Sequence, residues 1–188
     1  MDTPHQLITL LASRSARRGH FVLSSGRTST LYIDARLTTM SPDGLALIGT
    51  VGLAVIRASF PAPLVDAVGG LTLGADPIAY AIAYASATSP HPLRAFTVRK
   101  EAKAHGAGRQ VEGPFEPGDR VVVVEDVITT GGSALKAVEV LRAQGASIAG
   151  VLALVDREEG GRERIEREGL PVVSLVRASE ILPLLPEP

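Results

Sequence analysis

At 188 residues, 45% hydrophobic and 21% charged, the chain has the size and apolar content of one globular domain with a substantial core, and two full domains would be cramped. A net charge of −1 and a pI near 6.4 supply no global field for nucleic acid or an anionic membrane, so any attraction for phosphates has to be local. With no cysteine, disulfides, thiolate catalysis and cysteine-ligated metals are excluded.

Thr3-Pro4 puts a cap and then a proline where a helix starts well, Leu7, Ile8, Leu10 and Leu11 form its apolar stripe, and Gly19 is expected to end it. Arg14, Arg17 and Arg18 follow this apolar run instead of preceding it, which is not a secretory pattern. Residues 21–23 and 31–34 read as two strands joined by a polar turn. Ser41-Pro42-Asp43 caps a second helix reaching about Ala58. The longest apolar stretch, residues 45–56, lies in that helix, is short for a bilayer and contains two glycines, so a soluble cytoplasmic protein with no membrane partner is expected.

Pro61 and Pro63 mark a boundary, after which strands and helices alternate. The spacing predicts strand 64–68, helix 76–86, strand 93–98, a strand from Val121 with helix 133–144, strand 148–155, helix 162–168 and strand 172–176. Such alternation implies right-handed crossovers and an α/β fold with a mostly parallel sheet flanked by helices, binding ligands at the carboxyl ends of its strands. The expected organisation is a single domain over 1–188, with a small N-terminal hood over about 1–36 and an α/β core over about 60–177.

The most informative stretch is Val121-Val-Val-Val-Glu-Asp-Val-Ile-Thr-Thr-Gly-Gly-Ser133. Four uninterrupted valines fit a central parallel strand covered on both faces. Thr129, Thr130, Gly131, Gly132 and Ser133 then offer hydroxyls and closely approachable N–H groups at the positive end of a helix dipole, where a phosphate sits well. No lysine follows the glycines, so this is not a Walker loop, and the Gly-x-Gly-x-x-Gly dinucleotide fingerprint is absent. An ordinary capped turn would explain the glycines and hydroxyls alone. Glu125-Asp126 argues for more: two like charges after a buried strand are tolerable only facing water, a cation or sugar hydroxyls.

This segment resembles the phosphoribosyl-pyrophosphate (PRPP) signature of the type I phosphoribosyltransferases, an apolar strand, an acidic pair and a Thr/Ser/Gly loop. Four further segments agree. Residues 69–77, Gly-Gly-Leu-Thr-Leu-Gly-Ala-Asp-Pro, read alone as a tight turn into a helix, and beside a second phosphate loop become a candidate pyrophosphate cradle. Of the 19 basic residues only Lys100, Lys103 and Lys136 are lysines, and two of these fall in Arg99-Lys100-Glu-Ala-Lys103-Ala-His105-Gly. As a bare charge run this would be a solvated face, but it is similar to the mobile catalytic loop of the orotate phosphoribosyltransferases. Asp156-Arg157-Glu-Glu-Gly-Gly resembles their orotate-contacting segment, since an arginine fork matches the carboxylate that distinguishes orotate from uracil; a surface pair between Arg157 and Glu158 or Asp156 is the plain alternative. Residues 21–36 resemble the hood hairpin that closes over the base. Ser24 and Leu73 stand where some members have lysine.

The resemblance implies transfer of ribose 5-phosphate from PRPP to orotate, giving orotidine 5′-monophosphate and pyrophosphate, with Mg²⁺ required. It implies that residues 129–133 hold the 5′-phosphate, with Val127 and Ile128 in the same PRPP-binding run. Glu125 and Asp126 would hold the ribose and stand near a metal carried mainly by PRPP and water, with no direct protein ligand. Arg99, Lys100, Lys103 and His105 would neutralise the departing diphosphate, and Thr129 and Arg157 would orient orotate. A homodimer sharing loop 99–109 across subunits is implied, without nucleic acid. The other readings are a phosphoribosyltransferase for another base, or a PRPP-sensing regulator on the same fold.

Overall fold

The computed structural model describes residues 3–22, 28–101 and 110–187. A six-stranded sheet runs in the order β5-β4-β3-β6-β7-β8, comprising β5 (Val111–Glu112), β4 (Arg94–Val98), β3 (Ala67–Leu71), β6 (Arg120–Ile128), β7 (Ser147–Asp156) and β8 (Val172–Arg177). All pairs are parallel except β4 with β5. The mostly parallel α/β architecture matches expectation.

The valine run explains why β6 is central. Val122 and Val124 enter one core cluster and Val121 and Val123 the other, all fully buried, as the period-two alternation of a strand covered on both faces requires. Burying each such side chain contributes roughly 1.5–3 kcal/mol. On the first face pack α1 (Thr3–Arg14), α3 (Pro42–Ser59) and α4 (Ala75–Ser86); on the second, α5 (Gly132–Ala143) and α6 (Gly161–Glu166). The Ser41 side chain accepts the Gly44 N–H at 3.2 Å, the expected cap of α3. α3 has the length and apolarity of a membrane span, with mean hydropathy 1.2. Its composition has a packing cause: Ile48, Val51 and Ile56 enter the core, while Leu45, Ala46 and Gly49 line an apolar groove against α4.

Three boundaries differ from expectation. α1 stops at Arg14, and β1 (Ala16–Val22) begins where helix was expected, pairing with β2 (Thr28–Ile33) in a two-stranded sheet. Residues 15–19 carry no continuing apolar stripe, and the Ser15 carbonyl accepts the Asp34 N–H at 2.9 Å, so hairpin pairing wins. Gly19 lies in the irregular step of that ladder. β3 starts three residues late and includes Gly69 and Gly70, because β4 and β6 press so closely that a Cβ on Gly69 would stand 2.1 Å from the Phe96 carbonyl oxygen. β6 continues through the acidic pair to Ile128 instead of ending before it, held by pairing with β7 as far as Ile128 opposite Asp156. The short helix α2 (Arg36–Thr39) and strand β5 carried no sequence signal strong enough to be expected.

Candidate active site

A cleft of about 340 Å³ opens at the carboxyl edge of the sheet. β2 and the turn after it contribute Tyr32, Asp34 and Arg36; the β3–α4 connection contributes Leu71, Thr72, Leu73 and Gly74. Lys100 enters after β4, Glu125, Asp126 and Val127 from β6, and Ser133 from the first turn of α5.

The acidic pair dominates the electrostatics. Burial, and then the neighbouring Asp126 carboxylate, push the Glu125 acid up to about 8. Asp126 accepts the Val127 N–H at 2.8 Å and backs onto Gly74, where a Cβ would stand 2.4 Å from its Oδ2. Across the cleft Arg36 forks onto Asp34, Nε at 2.8 Å and Nη2 at 2.9 Å. That guanidinium holds the Asp34 carboxyl below its usual range, and Asp34, with a smaller contribution from Asp126, keeps Arg36 protonated.

The loop into α5 turns on Gly131, whose φ of 74° is left-handed and favours glycine. Gly131 packs against α6, a built Cβ lying 2.9 Å from the Gly161 carbonyl oxygen, and Arg164 donates to the Thr130 carbonyl at 3.1 Å. The neighbouring α6 thus fixes the turn that presents Ser133 and the unpaired first-turn N–H groups of α5.

Arg157 sits one strand along. Its backbone N–H donates to the Ile128 carbonyl at 3.0 Å, tying the ends of β6 and β7 together. Its side chain is 4% exposed, and Nη2 donates to Glu159 Oε1 and to Ser29 Oγ of the hairpin, both at 2.7 Å, while Nε is buried without a partner. The acid paired with Arg157 is Glu159, not Glu158 or Asp156; Asp156 instead accepts from Arg162 at 2.7 Å.

Of the residues singled out from sequence, Lys100, Glu125, Asp126, Val127 and Ser133 share the cleft. Residues 129–132 form the turn leading into Ser133. Ile128 is in the core, and Arg99 leans to β5, donating to Glu112 at 2.9 Å. Lys103 and His105, with the rest of 102–109, lie outside the described residues, as does Ser24. Tyr32, Asp34 and Arg36 fall in the stretch that resembles the hood hairpin, and Thr72 and Gly74 in the candidate pyrophosphate cradle, but the sequence singled out none of the five individually. The Asp34-x-Arg36 spacing at the end of an aromatic strand was the available signal, and the contact between Gly74 and Asp126 is tertiary and leaves none.

Residues 66–171 match the family model described as the phosphoribosyl transferase domain. The chain is 54% identical over 162 residues to the orotate phosphoribosyltransferase of Aquifex aeolicus (strain VF5), covering 86% of each. It is 46% identical over 171 residues to that of Rhodopirellula baltica, covering 90% of this chain and 89% of the other. Among solved structures it is similar to Mycobacterium tuberculosis H37Rv orotate phosphoribosyltransferase in complex with PRPP, with a TM-score of 0.78 and 38% identity over 96% of this chain and 99% of that one. Sequence and fold agree over nearly the whole chain, and the chain belongs to the orotate phosphoribosyltransferases, which transfer the phosphoribosyl group of PRPP to orotate in pyrimidine biosynthesis.

Proposed function

We propose that the cleft at the end of β6 is where PRPP is held and opened, with orotate bound beneath the hairpin. The observation that carries this is the meeting of the acidic pair, Ser133 at the α5 terminus and Lys100 in one cleft, with Tyr32 and Arg36 of the hairpin segment along its rim. The loop 129–133 holds the 5′-phosphate through N–H groups and hydroxyls. Glu125 and Asp126 take the ribose hydroxyls. As diphosphate leaves, the sugar carbon becomes cationic, the bond to the diphosphate oxygen breaks and one to a ring nitrogen of orotate forms, that nitrogen's proton passing to the departing diphosphate or to water. The pair then faces developing positive charge, which favours ionisation of the raised Glu125 acid when it is most useful. Lys100, with Arg99, Lys103 and His105 from the same loop, neutralises the leaving group, so catalysis is positional and electrostatic.

Among the described residues no group of three or more His, Asp or Glu could cage a metal. Two adjacent carboxylates fit Mg²⁺ carried on substrate oxygens and water, and the ion would offset diphosphate charge there. Thr129 and Arg157 orient orotate; the unpartnered Nε of Arg157 and its tie to Ser29 support a recognition role coupled to hairpin closure. Residues 1–188 work as one cytoplasmic phosphoribosyltransferase unit, hood over core.

A homodimer sharing loop 99–109 completes the reading. It is supported by the apolar groove of about 600 Å³ between α3 and α4, where Tyr84 is 85% exposed. Sedimentation at micromolar concentration should give twice the 19.6 kDa chain mass; a monomer active at that concentration would remove the dimer from the account.

The test of function is a base panel of orotate, uracil, adenine and hypoxanthine, each with PRPP and with or without Mg²⁺. Pyrophosphate should be released with orotate alone and only with the metal, and Arg157→Ala should raise the orotate KM while sparing that for PRPP. Equal turnover of uracil would overturn the assignment of Arg157.

A further inference from the structure

The β3–α4 connection is held from behind by a side chain outside the cleft. Asp76, in the first turn of α4, accepts from two hydroxyls on different elements: Thr72 Oγ1 donates to Oδ2 at 2.7 Å, and Thr97 Oγ1 of β4 donates to Oδ1 at 2.9 Å. A threonine hydroxyl has one proton. Thr97 spends it on Asp76, so the Tyr80 hydroxyl, 2.9 Å away and one turn along α4, must donate to Thr97. The Thr72 N–H donates to the Val98 carbonyl at 2.8 Å. Thr72 is therefore fixed at two atoms, while the residues after it, Leu73 and Gly74, line the cleft and Gly74 abuts the Asp126 carboxylate. Neither Asp76 nor Thr97 is among the cleft-lining residues.

A helix-start aspartate is ordinarily accounted for by the dipole alone. Here both of its oxygens are committed to hydroxyls that clamp the turn to β4. We propose that Asp76 is a positioning residue for the diphosphate end of PRPP, keeping the Leu71–Gly74 turn in the shape that receives the diphosphate. Thr97 and Tyr80 set the orientation of its carboxylate. The inference rests on the assignment of the cleft to PRPP given above.

Asp76→Asn, Thr97→Val, Tyr80→Phe and the double variant Asp76→Asn/Thr97→Val are compared with wild type by steady-state kinetics, pyrophosphate inhibition and thermal unfolding. With a preformed turn lost, Asp76→Asn should raise the KM for PRPP and the Ki for pyrophosphate together by about 10-fold, and Thr97→Val by about 3-fold, with the orotate KM unchanged. The double variant should be no worse than Asp76→Asn, because both act through one clamp. PRPP and pyrophosphate constants within two-fold of wild type in both single variants would overturn the proposal, as would losses that follow melting temperature and fall equally on orotate. Should Asp76→Asn fail to fold, Thr97→Val, which leaves the carboxylate in place, decides alone. Asp126→Asn is run in parallel: if it impairs PRPP use while the Asp76 and Thr97 variants do not, only this inference fails, whereas wild-type behaviour of Asp126→Asn removes the assignment of the cleft itself.

Discussion

Glu125 shows how a site exacts a cost in stability. Its carboxyl is raised from an ordinary 4.5 to about 8 by burial and by Asp126. Between those values the folded chain keeps a proton that the unfolded chain has released. Stability therefore falls as pH rises through that window and levels off above about 8, a loss on the order of a few kcal/mol. Glu125→Gln removes the titration, so the ligand-free variant should melt above wild type at pH 9, with the gap closing towards pH 5; a gap independent of pH would contradict this origin. The sequence made two adjacent acids conspicuous, because like charges after a valine run need a reason. It could not say which one holds the proton, since that depends on how deeply packing desolvates each. Arg36 was illegible for a related reason: its place opposite Asp126 depends on how the hairpin folds back over the sheet.

The elements were legible where a periodic pattern spoke for itself. The valine run, the Ser41 cap and the β–α alternation each state their structure locally. The ends of elements were not legible. β6 runs on through its carboxylates, and β3 through its glycines, because ladders with neighbouring strands extend pairing beyond what propensity suggests. Likewise, residues 16–18 pair with a strand more than ten residues further on instead of continuing α1. Gly74 marks where two elements meet. Its φ of −65° and ψ of −40° are open to any residue, so alanine would meet no backbone strain there, although at a helix N-cap it is less favoured than glycine. What forbids a side chain is the Asp126 carboxylate, 2.4–2.8 Å from the Cβ position. Gly74→Ala should lower kcat/KM for PRPP by about 10-fold or more while leaving the melting temperature within a few degrees of wild type, as thermal unfolding and initial rates would measure. Full activity would mean the contact relaxes at no consequence to the site.

At the scale of the molecule, the pocket is assembled from stretches far apart in sequence. The hairpin bonds across 128 positions from Ser29 to Arg157, and its flank shares a cleft with β6. That convergence could be expected from topology, since parallel strands deliver their following loops to one edge. The geometry within it could not, because hairpin closure and the orientation of Arg157 are tertiary outcomes. The central claim is that the carboxylates of β6 hold the sugar of PRPP while its diphosphate departs. Orotate-dependent pyrophosphate release by Asp126→Asn, at saturating Mg²⁺ and over a range of PRPP, tests it most directly. Losing a charge matched to the transition state should cost about 100-fold or more in kcat/KM with the fold intact, whereas release at the wild-type rate would contradict the account.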